Sequence, residues 1–511
     1  MDRQTRAHGV ARPSGAGGWP RALALVTLLL GGCLDAAKDL ERPTAAYGIQ
    51  GAVLLHDPNV GRLWTIDWAA DAPRVRETAW SGQMGPSLVA ADGTRVVLDS
   101  DARALVRLQA DGEAPSHWQL AAPFSALSGC DDGKAALTFH VDGAATKALV
   151  NTAEIALVDL TAPGSAPVHA TVSGLARAPY AARCSGVVER PDGPHRLIWL
   201  QVQSALGLID VGPSGASSVV VPLAAPSSDA VVTPTRTVAR VDAGIVDLYL
   251  IAGGISDVIH LRVVLGGVAP AVSLDQIGVG LGPTELEVFD AGDGVRAATL
   301  DASARTVSLV NPATGSGLSV GLDDPVVRWT TFTDSDGHRR AVASGSNLAW
   351  LTLIDLDTLE KKKGKAISRL KLQLSATAVE VVGGHAVVRH GVSDVVSVVD
   401  LETGKVSFFQ GTGQVVQTLA RGDAIYLLAS ATSDGVSGTR LSRIRMSDLQ
   451  GETLAFGRKA TTMLPFGEQG LALVGAGFGG LFVGLWHDGV PGAGHWLEGV
   501  TLGGVLDKEV P

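Results

Sequence analysis

Two short motifs have the residue types and spacing of known ligand-binding sites, one for a dinucleotide and one for calcium. The G-x-G-x-x-G pattern of dinucleotide sites is matched by Gly475-Ala476-Gly477-Phe478-Gly479-Gly480. Such a site needs a helix whose N-terminus faces the pyrophosphate, but the following residues, Leu481 to Trp486, predict a strand, and a buried hairpin is favoured. A calcium loop could begin at Asp334-Ser335-Asp336-Gly337, yet residues 338–345 contain no carboxylate, so a hairpin turn is favoured.

The remaining residues with catalytic potential are scattered. The histidines show no His-Glu-x-x-His spacing, and neither Cys-x-x-Cys nor Gly-x-Ser-x-Gly occurs. A zinc or nucleophile site could still assemble from distant parts of the chain, but nothing local supports one. We therefore expect a protein that is not an enzyme and that needs no cofactor or resident metal.

The N-terminus carries the strongest single signal. A basic segment with Arg3, Arg6, Arg12 and Arg21 precedes a short apolar run, Ala22 to Leu30, which ends in Leu30-Gly31-Gly32-Cys33. This ending resembles the bacterial lipobox. The resemblance implies a lipoprotein signal peptide over residues 1–32, acyl chains such as palmitate on Cys33, and a tether over residues 33–47. The alternatives are an ordinary secretory signal or an uncleaved segment that ends at a cysteine by chance.

The residue after the cysteine bears on the destination. In Gram-negative lipoproteins, an Asp directly after the lipidated cysteine resembles the signal for retention at the inner membrane. Here that position is Leu34, and Asp35 comes one place later. The cell envelope is therefore the expected location, with the outer membrane favoured and the periplasmic or surface side left open.

Composition and charge limit the fold class and the partners of the chain after the leader. Hydrophobic residues make up 46% of the chain, charged residues 18%, and glycine occurs 63 times, which favours many strands joined by tight turns. The net charge is −10, and because the leader contributes +3, the rest carries −13. This acidity argues against a nucleic-acid partner.

A loose repeat of four strands runs through the chain. The turn after the first strand recurs, at intervals of 38 to 60 residues, at Gly51, Gly93, Gly133, Gly193, Gly244, Gly294, Gly337, Gly384, Gly422 and Gly470. Several of these turns are Asp-Gly, which suits a two-residue hairpin with positive φ at both central residues. Four strands at this period predict an all-β fold, a β-propeller over residues 48–511, with ten units counted and eight to ten blades expected.

The arrangement of the ten units has alternatives. They could form one closed ring, which we favour, or two of them could be insertions, or the chain could make two rings. The chain starts near a second strand, Gly51 to His56, so the tail Gly503 to Val510 could supply the missing first strand and close the ring.

One repeat suggests a family. Val396 to Val406, which includes Val-Asp-Leu-Glu-Thr-Gly, resembles the repeats of PQQ-like and YVTN-like bacterial propellers. The resemblance implies a β-propeller domain. Two kinds of protein with such repeats resemble this chain, a propeller lipoprotein of outer-membrane assembly and the quinoprotein dehydrogenases.

Two further groups of residues are candidates for specific roles. Cys130 and Cys184 precede apolar strands in adjacent units, so they could form an inter-blade disulfide or stay as buried free thiols. The one basic cluster of this acidic chain could bind an anionic headgroup or an acidic partner, or could be a solvated connection between strands; it comprises Lys361, Lys362, Lys363, Lys365, Arg369 and Lys371.

The leading functional hypothesis is a non-enzymatic, envelope-anchored propeller that binds or scaffolds a protein partner, and a role in outer-membrane assembly is a specific version of it. The runner-up is a propeller enzyme or quinoprotein-like redox protein, although the adjacent cysteines common in quinoproteins are absent from the sequence. A sugar-binding propeller is a third class, ranked lower because aromatic residues are only 5% and show no periodic series.

Overall fold

A computed structural model describes residues 45–498, except 59–60, 70–71, 112, 142–151, 176, 225–230, 346–347, 362–364, 392–393, 411–412, 434–435, 457–458, 469, 478–479 and 487–493. The described chain forms strands, turns and loops. Within these residues, no helix is long and apolar enough to cross a membrane.

The strands form ten antiparallel sheets, and each sheet uses strands that follow one another along the chain. Blades 1 to 3 contain β1 (Ala45–Ile49), β2 (Ala52–Asp57), β3 (Arg62–Ala69), β4 (Ala72–Ala79); β5 (Ser87–Val89), β6 (Arg95–Asp99), β7 (Ala104–Leu108), β8 (Ser116–Gln119); β9 (Ala126–Gly129), β10 (Ala135–Phe139), β11 (Thr152–Asp159), β12 (Val168–Ser173). Blades 4 to 6 contain β13 (Ala181–Cys184), β14 (Val188–Arg190), β15 (Gly193–Val202), β16 (Ala205–Gly212), β17 (Gly215–Pro222); β18 (Thr233–Asp242), β19 (Ile245–Gly253), β20 (Asp257–Val264), β21 (Ala271–Gly278); β22 (Glu285–Asp290), β23 (Val295–Asp301), β24 (Thr306–Asn311), β25 (Ser316–Gly321).

Blades 7 to 10 contain β26 (Val326–Thr333), β27 (Arg339–Gly345), β28 (Trp350–Asp355), β29 (Ile367–Lys371); β30 (Ala378–Val382), β31 (His385–Arg389), β32 (Val396–Asp400), β33 (Val406–Phe409); β34 (Gln414–Arg421), β35 (Ala424–Ser433), β36 (Val436–Arg445), β37 (Gly451–Phe456); β38 (Ala460–Phe466), β39 (Gly470–Gly477), β40 (Gly480–Trp486), β41 (Gly494–Glu498). In blade 4 the first strand is split, so β13 and β14 both pair with β15. The molecule is a β-propeller of ten four-stranded blades, which confirms the predicted fold class and shows that all ten units are blades. Propellers typically have four to eight blades, so this ring is large.

The apolar core is distributed between the blades. Ten buried clusters are present, and each is made by side chains from two neighbouring blades. First strands of neighbouring blades also contact one another, which places the first strand of each blade nearest the axis. A sheet that presents an apolar face to each neighbour is stable only when both faces are covered, and the ring covers them.

The ring closes where blade 10 meets blade 1. Phe466 and Val474 of blade 10 pack with Val53 and Trp64 of blade 1 in one buried cluster. The N–H of Gly467 also donates to the carbonyl of Gly51 at 2.6 Å. We call this junction the seam, because no peptide segment joins its two blades directly. The ten clusters therefore form a single closed ring.

Closure by the C-terminal tail was wrong. The first strand of blade 1 is β1, just upstream of the expected domain start at residue 48, and it pairs with β2 from Ala45↔His56 to Ile49↔Ala52. Blade 1 therefore already has four strands of its own. Gly503 to Val510 lie outside the described residues. The prediction failed because the tether was assigned to residues 33–47, which already include the first three residues of this short strand, Ala45–Ile49.

Eight of the ten predicted glycines lie in the turns after the first strands, while Gly193 and Gly470 are the first residues of β15 and β39. Nine of the ten have positive φ, and in blade 10 Gly467 has it in place of Gly470. The expectation that Asp-Gly makes two-residue hairpins was wrong at Asp92-Gly93, where Ala90 N–H bonds to the Thr94 carbonyl across a three-residue turn. There the Asp92 carboxylate instead accepts the Thr94 N–H at 3.0 Å, which closes the turn from its side chain.

The blades have two ends. The crossover face carries the connections from each fourth strand to the next first strand, together with the turns between second and third strands. The opposite face carries the turns between first and second strands and between third and fourth strands. Because β1 runs from Ala45 toward the turn at Gln50-Gly51, the chain enters the ring on the crossover face.

Candidate functional site

The structure describes two of the three cysteines that the sequence analysis singled out. Cys33 lies outside the described residues, so its lipidation stays a prediction. Cys130 and Cys184 form a disulfide bond with their Cα atoms 4.6 Å apart. Cys130 directly follows β9 and Cys184 ends β13, so the bond joins the innermost strands of blades 3 and 4. The Asp131 N–H donates to the Cys184 carbonyl at 3.1 Å beside it. The disulfide cross-links two neighbouring blades near the axis.

The glycine-rich motif and the candidate calcium loop are both hairpins. The glycine-rich run lies in β39 and β40, which pair antiparallel from Leu471↔Trp486 to Gly477↔Gly480. A strand therefore follows the glycines, as expected, and among the described residues of this hairpin there is no helix N-terminus to receive a pyrophosphate. The Asp334 carboxylate accepts the N–H groups of Asp336 and His338, at 3.0 and 2.8 Å, inside the turn between β26 and β27. Among the described residues, no cluster of three or more His, Cys, Asp or Glu side chains could hold a metal.

The basic cluster is divided between the two ends of blade 7. Lys361 and Lys365 lie in the turn between β28 and β29 on the opposite face, while Lys362 and Lys363 lie outside the described residues. Glu360, next to Lys361, makes an ion pair with the buried Arg296 of blade 6 at 3.2 Å. The four described cations thus follow the outer edge of blade 7 and do not converge on one pocket.

The other two cations lie on the outermost strand of blade 7, beside an exposed tryptophan. Lys371 is the register partner of Trp350, and Arg369 is the partner of Thr352. Directly opposed residues of an antiparallel pair point to the same side of the sheet, so Trp350, Arg369 and Lys371 share one side of blade 7. Arg369 also forms an ion pair with Asp323 of the preceding connection.

Two leucines extend this surface at the crossover face. Leu348, in the turn before β28, donates its N–H to the Asp324 carboxylate at 2.9 Å. Leu374 follows β29, where the Leu372 N–H donates to the Ala349 carbonyl. Leu348, Trp350 and Leu374 are exposed by 39%, 39% and 43%. A small cavity of about 60 Å³ opens between Trp350 and the 322–326 connection. We call Leu348, Trp350, Arg369, Lys371 and Leu374 the Trp350 surface.

The Trp350 surface has the residue types of a protein contact. An exposed tryptophan with neighbouring aliphatic side chains and arginine matches the composition that is enriched in protein interfaces and their energetic hot spots. Sequence reasoning found its two cations but missed its apolar half. The available signal was a tryptophan at the first position of a third strand, where none of the other nine blades places an aromatic residue.

A buried polar group, separate from the Trp350 surface, lies in blade 4 at the opposite face. His195 is 3% exposed, and its Nδ1 and Nε2 lie 2.7 and 3.1 Å from carboxylate oxygens of Asp210 and Asp192. Asp210 also accepts the N–H of Gly266 from blade 5 at 2.7 Å. Burial lowers the pKa of His195, but hydrogen bonds and charges from Asp210 and Asp192 outweigh it and raise the pKa above 6.5. His195 therefore holds a carboxylate that ties blade 4 to blade 5.

We expect this group to make the ring less stable in alkaline solution. Because the folded-state pKa of His195 exceeds the unfolded value, its contribution is full below pH 6.5 and is lost as pH rises through the folded value. The difference in Tm between wild type and His195→Gln should therefore be largest near pH 6 and shrink toward pH 9. His169→Gln, which changes an exposed outer-strand histidine, is the control. An unchanged difference across that range would contradict the assignment.

Comparison with known proteins gives similarities of structure only. No known family profile matches the chain, and no curated protein matches it in sequence. Similar solved structures include dihydro-heme d1 dehydrogenase NirN, at 14% identity and a TM-score of 0.42 over 74% of this chain and 76% of that one. They also include AztD from Citrobacter koseri (13%, TM-score 0.32, 72% and 86%) and a streptogramin B lyase (12%, TM-score 0.30, 59% and 91%). Similarities at these values do not identify an activity or a ligand.

These structures correct one expectation. The dehydrogenase and the lyase are enzymes by name, so a propeller of this general kind does not exclude catalysis. The expectation that this chain is not an enzyme was wrong to take the lack of local motifs as evidence, and it is withdrawn; the similarities do not assign an activity in its place. Catalytic residues in a ring can come from different blades, and local spacing in the sequence does not detect them.

Proposed function

We propose that the chain is a lipid-anchored propeller of the cell envelope that binds a protein partner through the Trp350 surface. The observation that carries this proposal is a tryptophan exposed by 39%, beside two cations, on the edge of a closed ring. Membrane attachment rests on the lipobox at Cys33. A role in outer-membrane assembly is the specific form that the family resemblance suggests.

Rigidity favours this use of the ring. The Trp350 surface lies on β28 and β29 and on their flanking turns, and the blade beneath packs on both sides through buried clusters with blades 6 and 8. A surface held in this way loses little conformational entropy when a partner binds, so more of the contact energy appears as affinity.

Charge indicates the chemistry of the partner. The chain after the leader is strongly acidic, and its local excess of cations follows the outer edge of blade 7. An acidic protein would be repelled by most of the ring and attracted to this edge. The partner is therefore a protein that presents an apolar side chain to Trp350 and carboxylates to Arg369 and Lys371.

Crosslinking in living cells tests the proposal. A photoreactive amino acid at Leu348 should crosslink to one discrete protein, whereas the same residue at Val268, a fully exposed control on blade 5, should not. Adding Lys371→Glu to the Leu348 reporter should lower the yield about tenfold or more, because it reverses a charge beside the contact. Equal crosslinks from both positions, or a yield unaffected by Lys371→Glu, would overturn the proposal.

A further inference from the structure

A second cleft lies on the crossover face, between the outer parts of blades 1 and 2. Its volume is about 570 Å³, within the usual range for sites of small ligands. One wall is the connection from β4 to β5, and the other is formed by the β6–β7 turn and the outermost strand β8. The side chains that carry chemistry into this cleft are Trp80, Gln83, Asp99, Asp101, His117 and Gln119.

The connection that forms the first wall is fixed in place. The backbone N–H of Trp80 donates to the Gly61 carbonyl at 2.8 Å, and the ring centroid of Trp80 lies 4.9 Å from that of His56. The chain then passes between Trp80 and Asp99 at Gly82, where a Cβ atom would come within 2.4 Å of the Asp99 carboxylate and 2.5 Å of the Trp80 ring. Glycine at position 82 therefore allows the indole and the carboxylate to line the same cleft.

Asp99 is held in a defined orientation. Its side chain is almost fully buried, and its oxygens accept the N–H groups of Ala102 at 3.0 Å and Gln83 at 3.3 Å. Each carboxylate oxygen has two acceptor positions, so capacity for a ligand remains. The second carboxylate, Asp101, is exposed on the same turn.

The lining discriminates among classes of ligand. It contains two carboxylates and no Lys or Arg, so an anionic ligand would be repelled. The Gln83 amide and the His117 imidazole each offer both a donor and an acceptor, whereas the Gln119 NH₂ group already donates to the carbonyls of Ala102 and Arg103 and only its oxygen remains to accept. An ammonium group can only donate and would leave the Gln83 amide donor unmatched, whereas a hydroxyl group both donates and accepts. The exposed part of the Trp80 ring offers an apolar surface for C–H groups.

We propose that this cleft is a saccharide-binding site. A sugar combines hydroxyl groups with an apolar C–H face, and the cleft combines mixed donors and acceptors with an indole. The site is separate from the Trp350 surface, which belongs to the junction of blades 6 and 7, and it can be tested independently. Sequence analysis ranked sugar binding low because it sought a periodic series of aromatic residues, whereas this cleft uses a single tryptophan.

Saturation-transfer NMR of the full chain, with cellobiose and N,N′-diacetylchitobiose as separate probes, tests the site. At least one probe should bind saturably with a Kd of about 1 mM, and tetramethylammonium and sulfate should not compete. His117→Ala should weaken binding about tenfold, the effect of one lost hydrogen bond to the ligand. His169→Ala is the matched control, since His169 is also an exposed histidine on an outermost strand, in blade 3.

The outcomes separate the possibilities. Trp80→Ala should abolish binding, and its melting curve shows whether the variant remains folded; His117→Ala gives the answer if it does not. Competition by tetramethylammonium would show a cation site and overturn the proposal. So would equal effects of His117→Ala and His169→Ala, or no saturation by either sugar up to about 10 mM. None of these results depends on the partner crosslinks at Leu348, so failure here would leave the protein-binding proposal standing.

Discussion

Cys33→Ser is expected to move the protein almost completely from the membrane to the soluble fraction of the envelope. The thiol is the attachment atom for the acyl chains that the lipobox implies, and a serine hydroxyl does not replace it. Anchoring is worth about 0.8 kcal/mol per buried CH₂, so loss of several chains removes far more free energy than the polar tether could supply. Fractionation and incorporation of a fatty-acid analogue measure the effect.

Two variants control this experiment. Lys38→Ala changes the tether without touching the cysteine and should remain in the membrane. Leu34→Asp should still take up label but should shift the protein to the inner membrane, since Asp after the cysteine resembles the retention signal. A wild-type protein that takes up no label would show that the lipobox interpretation is wrong.

Phe466→Ala is expected to open the ring at the seam. Phe466 is fully buried, and its ring centroid lies 6.1 Å from that of Trp68 in blade 1. Truncation of a buried phenylalanine costs about 3–5 kcal/mol through lost burial and the cavity left behind. At the seam the loss should also release blade 1 from blade 10, because no direct peptide connection holds the two together. Denaturant unfolding gives the change in free energy.

Phe124→Ala provides the matched comparison. Phe124 is equally buried, but it belongs to the cluster between blades 2 and 3, which the chain joins directly. The two variants should lose similar free energy, yet faster amide hydrogen exchange in Ala45–Ile49 should appear only with Phe466→Ala. A cost below about 1 kcal/mol for Phe466→Ala would be inconsistent with a packed seam.

Much of the architecture was visible in the sequence because propellers repeat their turn chemistry. A glycine with positive φ is needed where adjacent strands reverse tightly, and Gly51 and Gly93 mark such places in successive blades. The aspartates that end third strands have a similar local purpose. Asp400, for example, accepts the N–H groups of Glu402 and Thr403 at 2.9 and 3.0 Å. Features of this kind depend on a few consecutive residues, which is why the blades could be counted.

The contacts between blades could not be predicted in the same way. Asp99 and Trp80 line one cleft because a connection from one blade crosses a turn of the next, and Gly82 gives no sign of that in the sequence. His195 and Asp210 face each other through the register of β15 with β16, where the partners are Arg196↔Val211 and Leu197↔Asp210. The first strand of blade 1 was missed for a related reason, since its pairing depends on β2 and its burial on both blade 2 and blade 10.

With Cys33 acylated as proposed, the direction of β1 places the crossover face toward the bilayer. The eleven residues between Cys33 and Ala45 can span at most about 36–40 Å, and they join the ring on the crossover face. The point where the chain enters this face then stays within that distance of the lipid surface, and the same face carries both Trp80 and Trp350. Binding would then take place in a thin layer bounded by ring and membrane. Ligands or partners already attached to the same membrane would meet the protein at a high local concentration, while freely diffusing ones would have to enter from the side.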